Sequence, residues 1–321
     1  MIIFVTASGH RYGPIEIEDI AGAPNFDVVS YNRLFRRKTL PGATYIFTDF
    51  DRLTFWHVEQ AAHIFRHLKD AGLLVLNDPA RVLQRLPLLK QLHRAGMNKF
   101  RVWDAAVDGL PDKWPVFLRT RHAHRGTITD LLDTRAAAET ALSDALNAGY
   151  GIQDLMFTEY CAAPAEHGVF RKLAAFRVGD TIQMTNTVHE RHWHAKLGED
   201  GVGTAKHYAE DLERVRSNPY NDQLQAAFDI AQIDYGRADF AIVDDAVQVY
   251  EINTNPHIAL FEKHQYPDRI EAQAIFGERF AAALTALDRP ADRSKRVKMD
   301  HPDLVELRKM DRLSLWQRTV V

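Results

Sequence analysis

Tyr235-Gly-Arg-Ala-Asp-Phe-Ala-Ile-Val-Asp-Asp-Ala-Val-Gln-Val-Tyr-Glu-Ile-Asn-Thr-Asn-Pro256 carries two apolar runs on either side of Asp244-Asp245. Adjoining aspartates between such runs are a turn signal, so the stretch reads as a β-hairpin. With the turn centred on Asp245, Asp239 falls opposite Glu251 and Arg237 opposite Asn253. Side chains alternate along a strand and directly opposed residues share a face, so Arg237, Asp239, Glu251 and Asn253 converge on one side. Phe240, Ile242, Tyr250 and Ile252 then face a core. Two facing carboxylates raise each other's pKa unless a cation lies between them. A hard divalent ion such as Mg²⁺ suits oxygen ligands of this kind and completes its shell with water and phosphate oxygens. Arg237 beside it would stabilise developing negative charge. The plainer alternative is a surface hairpin in which Arg237 only pairs with an acid. A two-residue turn would also shift the register and destroy the shared face.

Working outward, the remainder reads as mixed α/β. Ile2 to Thr6 is a continuous apolar run of the kind found in buried strands. Tyr45 to Thr48 is a further strand, and Phe55, Val58, Ala62, Phe65 and Leu68 recur at helical spacing before Gly72. Leu73 to Asn77 is a strand running into Asp78-Pro79. Strand, helix, strand in that order argues for a parallel α/β unit. A leucine-spaced helix ends at Gly96, and Pro115 to Arg119 is a strand. Thr134 to Ala148 is an Ala-rich helix, Leu155 to Tyr160 and Arg171 to Val178 are strands, and Gln223 to Ile233 is a helix. The end of the chain is basic and reads as a helical appendage with a solvated face.

With 321 residues, 46% of them hydrophobic and 26% charged, the composition is that of an ordinary globular chain of about two or three domains. Forty basic and forty-three acidic residues give a net charge of −3, so bulk charge argues for no nucleic-acid partner. No apolar run approaches a membrane span, and the opening Met1-Ile-Ile-Phe lacks a basic leader. The single Cys161 excludes an internal disulfide and fits a reducing cytoplasm.

Gly-Arg-Ala-Asp-Phe followed by a return strand ending Glu-Ile-Asn-Thr-Asn-Pro closely resembles the metal-binding end of the ATP-grasp ligases. That family includes D-alanine–D-alanine ligase, glutathione synthetase and the ribosomal-protein glutamate ligases. The resemblance implies that Asp239, Glu251 and Asn253 hold Mg²⁺, two ions in all, against nucleotide phosphates. It implies that Arg237 contacts phosphate or a tetrahedral intermediate. Upstream, Asn77-Asp-Pro79 and the helix ending at Gly96 resemble the family's junction segment. Eleven residues before Gly96, where the family has a phosphate-contacting Lys, stands Arg85. Pro115-Val-Phe-Leu-Arg119 resembles the strand whose final Lys reaches phosphate and adenine, with Arg119 in its place. Both replacements keep the charge and gain a bidentate fork.

Phe157-Thr-Glu159-Tyr-Cys-Ala-Ala-Pro-Ala-Glu166 resembles the adenine hinge. There Glu159 meets the adenine amino group, the backbone of Tyr160, Cys161 and Ala162 reads the base edge, and Glu166 takes the ribose. Arg171 and Arg177 share a face by alternation and approach phosphate or substrate, or else lie on a solvated face. The phosphate-covering loop, Thr120-Arg-His-Ala-His-Arg-Gly126, has one glycine where the family has several. His192 and His194 in the cluster His189 to Lys196 share one strand face. A substrate or phosphate contact or an exposed loop is the reading there, ahead of a zinc site. Cys161 in a hinge offers its backbone and not its thiol.

The resemblance implies an α+β and α/β chain with the ATP-grasp fold. Its parts are a small parallel α/β domain over 1–76, a linking helix over 77–99 and a lid subdomain over 100–165. A metal-binding antiparallel-sheet subdomain over 166–290 and a basic helical tail over 291–321 follow. It implies an ADP-forming carboxylate–amine ligase using ATP and Mg²⁺, acting through an acyl phosphate. The substrates would be small-molecule or peptide carboxylates and amines, without nucleic acid or membrane, and a homodimer stays open. Two alternatives use the same parts: a kinase of this fold, and a non-catalytic nucleotide-binding regulatory protein.

Overall fold

Ile2 to Val5 are each buried to within 5% of full exclusion, so both faces of the first strand, β1 (Ile2–Thr6), are covered. That is the signature of a parallel strand inside an α/β layer. In the computed structural model, which describes residues 1–122, 126–196, 198–258, 260, 263–288 and 296–318, the chain continues through a short helix α1 (Tyr12–Ile15), β2 (Phe26–Ser30), α2 (Tyr31–Arg36), β3 (Thr39–Pro41) and β4 (Thr44–Phe47). Then come α3 (Phe55–Asp70) and β5 (Val75–Leu76). The order β2-β1-β4-β5 is parallel throughout. Helix α3 starts where the Thr54 side chain accepts from the His57 N–H at 3.3 Å, and it lays Ala61, Ile64, Phe65 and Leu68 on the sheet.

The linking helix α4 (Arg85–Arg94) leads to a small antiparallel sheet of β6 (Val102–Asp104), β7 (Val116–Thr120) and, after α5 (Arg135–Asn147), β8 (Leu155–Glu159). Trp103, Leu118, Ala138 and Phe157 form its own core. Three residues of the 120–126 loop, expected to cover phosphate, lie outside the described residues: 123–125.

A second antiparallel sheet follows from β9 (Phe170–Val178), β10 (Thr181–Met184) and β11 (Val188–Glu190). Helices α6 (Ala205–Ser217) and α7 (Asn221–Ala231) separate these from β12 (Tyr235–Val243) and β13 (Ala246–Asn253). The order is β10-β9-β12-β13, with β11 also on β9. Helix α8 (Pro267–Leu287), which the sequence reading passed over, packs Phe276 and Phe280 on Phe176 of β9 at ring-centre distances of 5.4 and 5.2 Å.

The end of the chain carries the helix expected, but it is not a wholly solvated appendage. Residues 296–298 form β14 (Arg296–Lys298), antiparallel to β3, and α9 (Pro302–Arg318) follows. Val297, Met299 and Leu304 are buried in the same core as Val5, Phe47 and Phe65. Apolar residues spaced among the basic ones are thereby drawn back onto the N-terminal sheet, while 291–295 and 319–321 lie outside the described residues. Among the described residues no helix is long and apolar enough to cross a membrane.

Candidate nucleotide and metal site

The hairpin pairs Arg237 with Asn253 and Asp239 with Glu251, the facing expected, but reaches it by another route. The turn is a two-residue one: Val243 pairs with Ala246, and Asp244 and Asp245 both have positive φ, 48° and 59°. That is the requirement of a type I′ turn, and alone it would put Asp239 opposite Tyr250. A bulge between Asp239 and Phe240 restores the alignment, because Phe240 pairs with Val249 and Tyr250 becomes the extra residue. The freed Tyr250 reaches across to donate its hydroxyl to the Cys161 carbonyl at 2.5 Å.

Asp239 is 2% exposed. It accepts from Arg237 Nε at 2.8 Å and Nη2 at 3.2 Å, and Lys172 Nζ lies 3.5 Å away. Burial alone would weaken the Arg237 charge, but Asp239 and Glu251 more than offset this and raise its pKa. Glu251 is paired with Arg85, and Asn253 Nδ2 donates to Glu251 Oε1 at 3.3 Å. Three oxygen-bearing side chains thus stand on one face of two strands. Among the described residues no group of three or more His, Cys, Asp and Glu side chains is placed to hold a metal. The hairpin therefore offers an open site that fits Mg²⁺ only when water and phosphate oxygens complete the shell.

A cavity of about 240 Å³ opens on this face. Arg85, Arg119, Glu159, Tyr160, Cys161, Ala162, Arg171, Arg237, Asp239, Glu251 and Asn253 all line it. Burial, with the Arg85 charge beside it, pushes Arg119 down to about 10. Its Nε is buried with no hydrogen-bond partner among the described residues. A desolvated, unsatisfied guanidinium N–H is costly, and a phosphate oxygen would satisfy it. At the hinge, Glu159 is nearly buried, accepts from the Arg101 N–H at 3.0 Å and pairs with Lys113. Burial, then the charges of Glu159 and Asp244, push the Cys161 thiol up to about 11, which leaves it inert near neutrality.

Two expected residues stand elsewhere. Glu166 does not line the cavity; it is exposed and holds Lys206 at 2.7 Å. Arg177, on the face shared with Arg171, is buried and bonds Asp229 at 2.7 Å and the Gly179 carbonyl at 2.9 Å, so it braces α7 against β9. Sequence reasoning missed Lys172 and Trp193. Lys172 reaches Asp239 because β9 pairs Asp239 with Ala174, two residues along the same face. Trp193 lines the cavity and packs on Phe117 and Tyr160 at ring-centre distances of 4.9 and 5.7 Å. His194 beside it also lines the cavity, whereas His192 does not.

The chain matches no protein-family model and no curated protein. Among solved structures, the ATP-grasp ligase PsnB complexed with a minimal precursor is similar at a TM-score of 0.50 and 14% identity, over 89% of this chain and 98% of that one. PsnB with a phosphomimetic variant of that precursor, Mg and ADP gives 0.50 and 15%, over 89% and 97%. D-alanine–D-alanine ligase from Bacillus anthracis complexed with ATP gives 0.46 and 13%, over 88% and 98%. The chain has the ATP-grasp fold.

Proposed function

We propose that this protein is an ATP- and Mg²⁺-dependent ligase that joins a carboxylate to an amine. The observation that carries the reading is the single cavity onto which Arg85, Arg119, the 159–162 hinge and the Asp239–Glu251–Asn253 hairpin all open. Arg85 and Arg119 hold phosphate, the hinge backbone reads the base, and Trp193 closes one side of the base pocket. Asp239, Glu251 and Asn253 would hold the metal, which would supply charge neutralisation at the transferring phosphoryl group. The substrate carboxylate attacks the γ-phosphorus, ADP leaves and an acyl phosphate results. The amine then attacks the acyl carbon, the bond to phosphate breaks and the nitrogen sheds a proton. Arg237 stabilises the oxyanion of that second step, and catalysis is otherwise positioning and electrostatics.

The test is an ADP-release screen over amino-acid and peptide pools with Mg²⁺, followed by the mass of the product. An amide product that requires both pools supports the ligase. A stable phospho-product formed without amine makes it a kinase, and tight ATP binding with no ADP release from any pool makes it a regulatory binder.

A proton-linkage result is also expected. Burial first, then the charges of Arg119, Lys172 and Lys196, lower His194 from 6.5 to about 4. A triphosphate offsets those charges but not the burial, so it raises the pKa from about 4 toward 6.5 without reaching it; binding takes up protons at His194 just above pH 4 and that contribution strengthens as pH falls there. Calorimetry of AMPPNP at about pH 5 in buffers of differing ionisation enthalpy should show more proton uptake, or less release, than the same titration of His194→Gln. Equal proton balances in the two proteins would contradict it.

A further inference from the structure

In the N-terminal sheet, β1 has β2 on one side and β4 on the other, so the chain reverses direction across the sheet between β1 and β4. Ligands of open parallel sheets bind outside the carboxyl ends of the strands at such a switch point. Here Asp49 stands two residues past the end of β4. It is 2% exposed and sits in the left-handed region at φ 57°, which costs a non-glycine residue backbone energy. Its carboxylate accepts from the Ala7 N–H across the switch point at 2.8 Å and from Asn255 Nδ2 at 3.0 Å, while its own N–H donates to Thr254 Oγ1 at 3.1 Å. The strained backbone is therefore held from both sides so that the carboxylate stays in place. Among the described residues no Lys or Arg is ion-paired with Asp49, and burial raises its pKa.

A second, smaller cavity of about 60 Å³ lies here. Asp49, Asp51, Gln84, Arg121 and Thr254 line it, and it shares Arg85, Glu251 and Asn253 with the larger one. Arg85 is over nine-tenths buried and its Nε has no partner among the described residues. The space beyond the hairpin thus ends on a desolvated carboxylate that lacks an ion-paired Lys or Arg among the described residues. A neutral or anionic ligand would leave that charge uncompensated, whereas an ammonium group would pair with it.

We propose that this crevice binds the amine substrate by its ammonium group, with Asp49 as the counter-ion. The inference rests on the ligase reading for the meaning of the site, though not for its ligand chemistry. The test uses the full chain and calorimetry, with and without AMPPNP and Mg²⁺. The probes are alanine against lactate, glycine against glycolate, and ethylamine against ethanol. At least one amine should bind tenfold or more tightly than its hydroxyl partner, and Asp49→Asn should erase that preference without changing AMPPNP affinity. Should Asp49→Asn fail to fold, the amine–hydroxyl pairs on the unmodified protein decide alone. Equal binding of the paired probes, an unchanged preference in a folded Asp49→Asn, or no amine binding to protein that holds AMPPNP would overturn the proposal. Amine selectivity without any AMPPNP binding would overturn the ligase reading and leave the ammonium site standing.

Discussion

Arg237→Ala is expected to slow turnover by a few hundred-fold while leaving ATP affinity largely intact. Removing one oxyanion donor typically costs about 3–4 kcal/mol in the transition state, and each factor of ten in rate is about 1.4 kcal/mol. Arg237 is fixed for such a role: Nε and Nη2 grip Asp239, and Nη1 donates to the His257 carbonyl at 2.7 Å. Nucleotide affinity should survive because the proposed phosphate and base contacts, Arg85, Arg119 and the 159–162 segment, are untouched, and Lys172 still lies beside Asp239. Arg237→Lys keeps the charge but cannot span both oxygens of Asp239, so it should recover only part of the rate. The measurement is kcat from ADP release beside the Kd of AMPPNP for each variant. An Arg237→Ala protein whose nucleotide binding falls as far as its turnover would remove Arg237 from the oxyanion role.

The facing of Asp239 with Glu251 was legible because strand alternation is a local rule. The route was not: a two-residue turn and a bulge at Tyr250 each move the register by one and cancel. A bulge has no fixed residue signature when its extra residue is a tyrosine that fits a strand equally well. Arg85 and Arg119, which the family resemblance singled out, both line the cavity. Lys172 was not legible, because its approach to Asp239 depends on which strand lies beside β12, a contact between distant segments. The loop carrying Trp193 and His194 could be read only as a cluster of rings, since nothing local says which of them turns inward. For α8 a signal existed: Pro267 at the first turn, then Phe276, Phe280 and Leu284 at helical spacing. Asp49 gave no local sign of its burial, as the groups that bond it, Ala7 and Asn255, lie 42 and 206 residues away in sequence.

Asn77→Ala is expected to destabilise the protein by about 4 kcal/mol or more, among the larger effects a single substitution produces. Asn77 is fully buried. Its Nδ2 donates to the carbonyls of Phe47 and Tyr235, both at 2.9 Å, and its Oδ1 accepts from the N–H groups of Asp234 at 2.7 Å and Tyr235 at 3.0 Å. One side chain thereby ties the end of β4 to the start of β12, the N-terminal sheet to the β12–β13 hairpin. Alanine leaves four main-chain groups without that partner, and an unsatisfied buried group costs about 1–3 kcal/mol. The residue also has φ 62°, where alanine pays about 1–2 kcal/mol and asparagine is tolerated better. Asn77→Gly separates the two contributions, since it relieves the backbone and still loses the hydrogen bonds. It should recover only about 1 kcal/mol. Asn77→Asp changes one atom, yet it turns a carboxylate oxygen toward two carbonyls and should be at least as damaging as alanine. Urea unfolding of the three variants gives the comparison. An Asn77→Ala protein within about 1 kcal/mol of the parent would mean that water replaces the side chain at this junction.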